Sequence, residues 1–311
     1  MAIGQFRDLQ ESSMWESAVM AKTSVLDDYE ETGRRFTADG VGSFVLDQGS
    51  GDPVVCMHGV PASAYLYRKV VPKLAAHGLR GIAFDLPGLG LAERPVGFDY
   101  TWSGLGRWSV AAIDALGLER FHLVVHDIGG PVGFEVAAAM PERVASLTVL
   151  NTVVDAEDFR RPWSMEPFAH RYVGRAYLSM LNKPIFRTLM RMQGVADMKA
   201  VPARELDAYV DLLKRGDNGA AFLQIMRGFE RTAQKQKLYR GVVAGDRYPV
   251  QVVWGERDPA LTLDEHGQIV LRAAGLSSSV NLPGKHFLQE DQAGPLAAQI
   301  AAFANGSSIT S

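Results

Sequence analysis

The chain has 311 residues, 47% hydrophobic and 22% charged, with a formal net charge of −3. That composition fits a globular fold with one large core, or a core carrying an inserted domain, and it excludes nucleic acid and membrane surfaces as the main partners. The single cysteine, Cys56, excludes internal disulfides and cysteine-rich metal sites, and its apolar surroundings mark it as a buried thiol.

No apolar run reaches the ~18 residues of a membrane span. The stretch from Met1 to Lys22 carries Asp8, Glu11 and Glu16 and has no apolar secretory core. It reads as part of an N-terminal extension over residues 1–33, and the expected location is cytoplasmic.

From there the chain alternates. Short strands are expected at Arg35 to Thr37 and Val41 to Leu46, then an apolar strand from Pro53 to Met57 that ends in His58-Gly59. A helix over Ser63 to Ala76 and a strand over Gly81 to Phe84 lead to the loop Asp85-Leu86-Pro87-Gly88-Leu89-Gly90. Tyr100 to Leu116 reads as a helix, Phe121 to Val125 as a strand, Val132 to Met140 as a helix and Val144 to Asn151 as a strand. After a long interruption the rhythm resumes with strands at Val250 to Trp254 and Ser278 to Leu282. Helices are expected near Leu263 to Ala273 and from Gln292 to Ala304. Apolar strands alternating with helices imply an α/β fold whose mostly parallel sheet is covered on both faces.

The interruption, residues 154–243, is rich in arginine, methionine and aromatic residues and has helical periodicity. It is expected to form a helical cap over the sheet's carboxyl edge, where open α/β sheets bind ligands. The core is then residues 34–153 and 244–311.

The chemistry centres on Val124-Val125-His126-Asp127-Ile128-Gly129-Gly130, a strand, a sharp turn and a helix. This is a nucleophile elbow with aspartate in place of serine. A carboxylate needs no deprotonation to attack, so it suits an alkyl carbon, with a covalent ester as the intermediate. Breaking that ester requires a base. His286, in Gly284-Lys285-His286-Phe287 after the last strand, fits. Asp258, after the strand ending at Trp254, is the acid that orients it, with Asp155 as the fallback. The order nucleophile, acid, histidine is that of α/β-hydrolases. Backbone N–H groups of Ile128 and Val60 are expected to hold the oxyanion. His126 is expected to point away from the site, and Asp85 to brace the glycine-rich loop. No metal spacing is present, and neither a metal nor an organic cofactor is expected.

His58-Gly59-Val60-Pro61, Tyr65-Leu66-Tyr67-Arg68-Lys69, the loop from Asp85 to Gly90, the Asp127 elbow and Gly284 to Asp291 together resemble the haloalkane dehalogenase and epoxide hydrolase group of α/β-hydrolases. The resemblance covers roughly residues 34 to 155 and 245 to 305. It implies an α/β-hydrolase fold and a small apolar substrate, and it leaves homo-oligomerisation open. Dehalogenases of this group place tryptophan after the nucleophile to hold the halide, and here that position is Ile128. Epoxide hydrolases use cap tyrosines to protonate the opened ring, and the cap carries Tyr172, Tyr177, Tyr209 and Tyr239. Epoxide hydrolysis is therefore the leading expectation, with Tyr172 and Tyr239 as the donor pair and His170 as an alternative donor. Carbon–halogen cleavage with Trp163 as a donor is the second expectation, and a non-catalytic binding protein the third. His58 and Pro61 complete the expected substrate contacts.

Overall fold

The computed structural model describes residues 24–307; the segment Met1 to Lys22 lies outside them. Eight strands form one sheet: β1 (Arg34–Ala38), β2 (Val41–Gln48), β3 (Pro53–Met57), β4 (Arg80–Phe84), β5 (Phe121–His126), β6 (Val144–Leu150), β7 (Val250–Gly255) and β8 (Val280–Leu282). Their order is β1-β2-β4-β3-β5-β6-β7-β8. β1 and β2 pair antiparallel, β2 meets β4 antiparallel, and the other pairings are parallel. All six residues of β5 and all seven of β6 are buried, as strands covered on both faces must be.

Parallel pairing brings the carboxyl ends of β3, β5, β6, β7 and β8 to one edge. The residues that follow them (His58, Asp127, Asn151, Asp258 and His286) therefore gather there. From β3 the chain passes first to β4 on one side and then to β5 on the other, which opens a crevice at that edge.

Two helices differ from expectation. Ser63 to Ala76 is a 3-10 turn, Ala64–Tyr67, followed by a separate helix, Val71–Ala76. Pro72 lacks an N–H and fits the first turn of a new helix better than the middle of a continuous one. The helix after Asp127 spans Gly129–Ala139, three residues earlier in its start than periodicity suggests. Pro131 sits in its first turn, where no N–H is needed. A further short helix, Val25–Glu31, is held by a Ser24–Asp27 capping box, and its Tyr29 packs edge-on against Tyr65.

Between β6 and β7 every regular element is helical: Glu166–Ala169, Val173–Met180, Lys183–Leu189, Ala203–Lys214, Ala220–Arg227 and Ala233–Val243, with a π turn at Met190–Gly194. An ion network ties this cap to the core. Arg68 reaches the fully buried carboxylate of Glu290 through both Nη atoms, at 2.6 and 2.8 Å, and Glu205 of the cap at 2.5 Å. Lys69 contacts the same two carboxylates, and the Tyr209 hydroxyl donates to Glu290. Among the described residues, no helix is long and apolar enough to cross a membrane.

Candidate active site

The elbow imposes a positive φ of 53° on Asp127, a conformation that L-residues adopt only when the surroundings enforce it. Three bonds do so here. The Asp127 N–H donates to the Asn151 carbonyl at 3.2 Å, Gly130 N–H to the Asp127 carbonyl at 2.9 Å, and Thr152 Oγ1 to that carbonyl at 2.5 Å. Two glycines make room. A Cβ on Gly59 would lie 2.1 Å from Asp127 Oδ1, and one on Gly130 would lie 1.9 Å from Thr152 Oγ1.

The Asp127 carboxylate has two distinct oxygens. Oδ1 accepts the Val60 N–H at 2.7 Å. Oδ2 lies 3.4 Å from His286 Nε2. Burial pushes the carboxyl up, but the His286 hydrogen bond and charge, with help from the Ile128 N–H, outweigh this and hold it below the ordinary range. The Asp127 carboxylate is thus ionised in the resting protein.

His286 Nδ1 is 2.7 Å from Asp258 Oδ2. Burial disfavours the imidazolium, but the Asp258 charge and the hydrogen bonds to both carboxylates prevail and raise the histidine well above its ordinary value. Asp258 has no exposed side-chain surface. Its Oδ1 accepts N–H groups from Ala260 and Leu261 at 2.8 and 3.0 Å, and its Oδ2 also accepts Asn151 Nδ2 at 2.8 Å. Burial alone would raise this acid too; the His286 charge and these bonds lower it instead.

Asn151, a residue the sequence reading passed over, ties three strands together. Its Oδ1 accepts the Gly255 N–H at 2.8 Å, its Nδ2 donates to Asp258, and its carbonyl accepts the Asp127 N–H. Its φ of 22° is the local mark of that strain.

The loop bearing His286 is gripped from both sides. His286 N–H donates to the Gln193 carbonyl at 3.2 Å and Phe287 N–H to the Gly194 carbonyl at 2.8 Å, both in the cap's π turn. From beneath, the His126 ring lies 4.7 Å from the His286 ring, and its Nε2 is 2.8 Å from the His286 carbonyl. His126 does not line the cavity, but it does not point away from the site either, because its ring packs on His286.

Asp127 and His286 open into a cavity of about 90 Å³ beneath the cap. Val60, Pro61 and Ile128 line it from the core, and Phe168, Leu181 and Phe186 from the cap. The walls are mainly apolar.

Four expected substrate contacts do not line it. Tyr172 is 86% exposed on the cap surface, and Trp163 is 67% exposed. Tyr239 is buried in the core, packed on Phe134 and Trp102, where its hydroxyl donates to Glu135 at 2.9 Å. His58 is wholly buried and accepts the Leu86 N–H on Nε2 at 3.0 Å, with burial holding its pKa at about 4. It fastens the glycine-rich loop. Pro61 does line the cavity.

The secondary candidates lie elsewhere as well. Asp155 forms a two-pronged pair with Arg240, and His170 sits exposed near Glu166. Asp85 braces its loop through the N–H groups of Ala64 and Leu91, and Cys56 is buried. The polar cavity residues that sequence reasoning missed are Arg161, Ser164 and Gln193. Helical periodicity alone gave no signal for them.

The comparisons agree with this architecture. The alpha/beta hydrolase fold family matches residues 52–294. A haloalkane dehalogenase of Mesorhizobium japonicum is 30% identical over 280 residues, 85% of this chain and 88% of that protein. Another, from Psychrobacter cryohalolentis, is 40% identical over 116 residues, only 36% of this chain and 38% of that one. An epoxide hydrolase from Vigna radiata superposes with a TM-score of 0.73 over 88% of this chain and 97% of its own at 22% identity, a likeness of fold. The chain therefore belongs to the alpha/beta hydrolase fold family and is a hydrolase of that family.

Proposed function

We propose that the protein displaces a leaving group from an alkyl carbon with Asp127 and then hydrolyses the resulting ester. The observation that carries this reading is the division of labour on one carboxylate. Val60 N–H holds Oδ1, while Oδ2 faces His286 and the cavity. Oδ2 attacks, and the carbon–oxygen bond forms as the bond to the leaving group breaks. Oδ1 becomes the ester carbonyl oxygen, already seated on an N–H donor.

Esterification also prepares the base. The resting His286 is held protonated between two carboxylates. Alkylation removes the Asp127 charge, so the imidazolium loses one of its two stabilising partners and releases its proton more readily. The neutral ring, oriented by Asp258, then takes a proton from water attacking the ester carbon. The oxyanion forms on Oδ1 opposite the Val60 and Ile128 N–H groups. His286 returns the proton to the departing alcohol oxygen.

For the leaving group, the reading favours halide. The epoxide expectation rested on cap tyrosines, and neither Tyr172 nor Tyr239 lines the cavity. An opened epoxide leaves an alkoxide that needs a proton, which a phenol can supply. A halide needs only positive potential and N–H donors, and Arg161 and Gln193 line the wall. The relatives above named haloalkane dehalogenase support the same reading.

The test is the intact mass of His286→Gln protein after mixing with 1-bromobutane and, separately, an alkyl epoxide. Gain of an alkyl group without bromine supports halide displacement. Gain of a whole epoxide with no alkylation by bromobutane returns the reading to epoxide opening. No adduct from either removes the covalent mechanism.

A further inference from the structure

We infer that the buried guanidinium of Arg161 is the seat of the leaving halide. This rests on the displacement reading above and assigns a residue to its one unassigned role. Arg161 shares the cavity wall with Asp127 and His286, although its side chain is only 5% exposed. A permanent cation sunk in an apolar wall is costly unless its hydrogens are used.

Its contacts hold it still without using it up. Nη2 donates to the Met226 carbonyl at 2.8 Å, and Nη1 reaches Glu166 at a long 3.4 Å. The guanidinium lies over the Phe229 ring, 4.5 Å from its centroid. Nε is buried with no hydrogen-bond partner. Glu166 is 45% exposed, so it offsets the charge only partly. The result is a preorganised donor whose charge is not fully met by the protein.

The ligand chemistry follows from the surroundings. The cavity is small and its other walls are mainly apolar, which suits a compact apolar substrate better than one already charged. The anion is instead made in place. As Oδ2 bonds to carbon, the carbon–halogen electron pair departs with the halogen, and no proton is transferred. Gln193 adds a second donor. Its Oε1 accepts the Ser164 hydroxyl at 2.8 Å, which leaves its NH₂ end for the halide. These cap groups take the place of a side-chain donor that Ile128 cannot provide.

The probe is bromide, added as the sodium salt to the full-length protein and followed by its NMR line width. Wild type, Arg161→Met and Arg161→Lys are compared, each checked for an unchanged unfolding midpoint. In parallel, the rate of ester formation with 1-bromobutane is measured in His286→Gln protein with and without Arg161→Met. Wild type should broaden the bromide line saturably, Arg161→Met should lose that broadening, and Arg161→Lys should keep part of it. Ester formation should slow about 100-fold in the Arg161→Met background.

Absence of saturable broadening in wild type overturns the assignment whatever the variants do. So does full broadening with unaltered ester formation in Arg161→Met, and the covalent mechanism then still stands. If bromide binds through Arg161 but no ester ever forms, the anion seat stands and the displacement reading falls.

Discussion

His126 and His286 lie ring against ring, with centroids 4.7 Å apart, and His126 Nε2 sits 2.8 Å from the His286 main-chain carbonyl. The residue before Asp127 therefore holds the loop that carries His286. Burial keeps His126 neutral at physiological pH, with a pKa of about 4, so it acts as a hydrogen-bonding wedge rather than a charge. His126→Phe keeps the ring contact and loses the bond. It should lower kcat about tenfold and KM with it, leaving kcat/KM nearly unchanged, because only the hydrolysis of the ester needs His286 in register. Equal loss in kcat and kcat/KM with slowed ester formation would place His126's effect on the nucleophile instead.

Asp258→Asn should separate the two chemical steps. In the proposed mechanism Asp258 fixes the His286 tautomer and supports the imidazolium, so steady-state turnover should fall by on the order of 10²–10⁴. Asp127 needs no base for its attack, so alkylation should continue and the ester should accumulate. Quenched-flow mass spectrometry reads this directly. A loss of turnover with no trapped ester would contradict the assigned roles.

How much of this was readable from the chain depends on where a residue sits. Asp127, Asp258 and His286 each follow a strand of the parallel part of the sheet, which brings such positions to one edge. Their spacing therefore carried three-dimensional information. The N–H groups of Val60 and Ile128 lie beside Asp127 because of the turns that carry them, whatever their side chains. The cap was different. Helical periodicity marks which residues share a face but not which face meets the cavity, so Tyr172 and Tyr239 were assigned to a site that neither lines. Asn151 looked like the end of β6. Its bonds to Asp258, Gly255 and Asp127 exist only once three strands are assembled. Arg161 resembled any of the cap's arginines until its burial was known.

Acid should weaken the fold before any carboxylate pair is lost. His58 and His126 are buried neutral, each with a folded pKa of about 4 against about 6.5 unfolded. Their folded values are depressed, so stability is fully present above about 6.5 and is lost as pH falls toward 4. Each contributes a slope of up to about 1.4 kcal/mol per pH unit in that window. Asp85, pushed up to about 6 by burial, opposes them below pH 6, and the two histidines outnumber it. Urea melts between pH 7 and 4.5 should show a falling midpoint, with a shallower fall in His126→Phe. A flat profile would contradict the neutral burial of both rings.

Arg68→Met should loosen the cap. It removes the two-pronged partner of a fully buried carboxylate and leaves Glu290 to Lys69 and Tyr209. The expected destabilisation is about 3 kcal/mol. Glu290→Gln made together with it should recover part of that loss, because the stranded charge is then gone. Denaturant melts of the single and double variants check this. Additive losses would mean the pair does not act as a unit.

In the proposed mechanism the oxygen delivered to the product comes first from Asp127. One turnover of wild-type protein in heavy-oxygen water, with protein in excess over 1-bromobutane, tests it most directly. The alcohol released should carry ordinary oxygen, and the label should enter the carboxylate of Asp127, detected in the peptide that contains it. Labelled alcohol with an unlabelled Asp127 would mean that water attacks the substrate itself, and the covalent mechanism would be wrong.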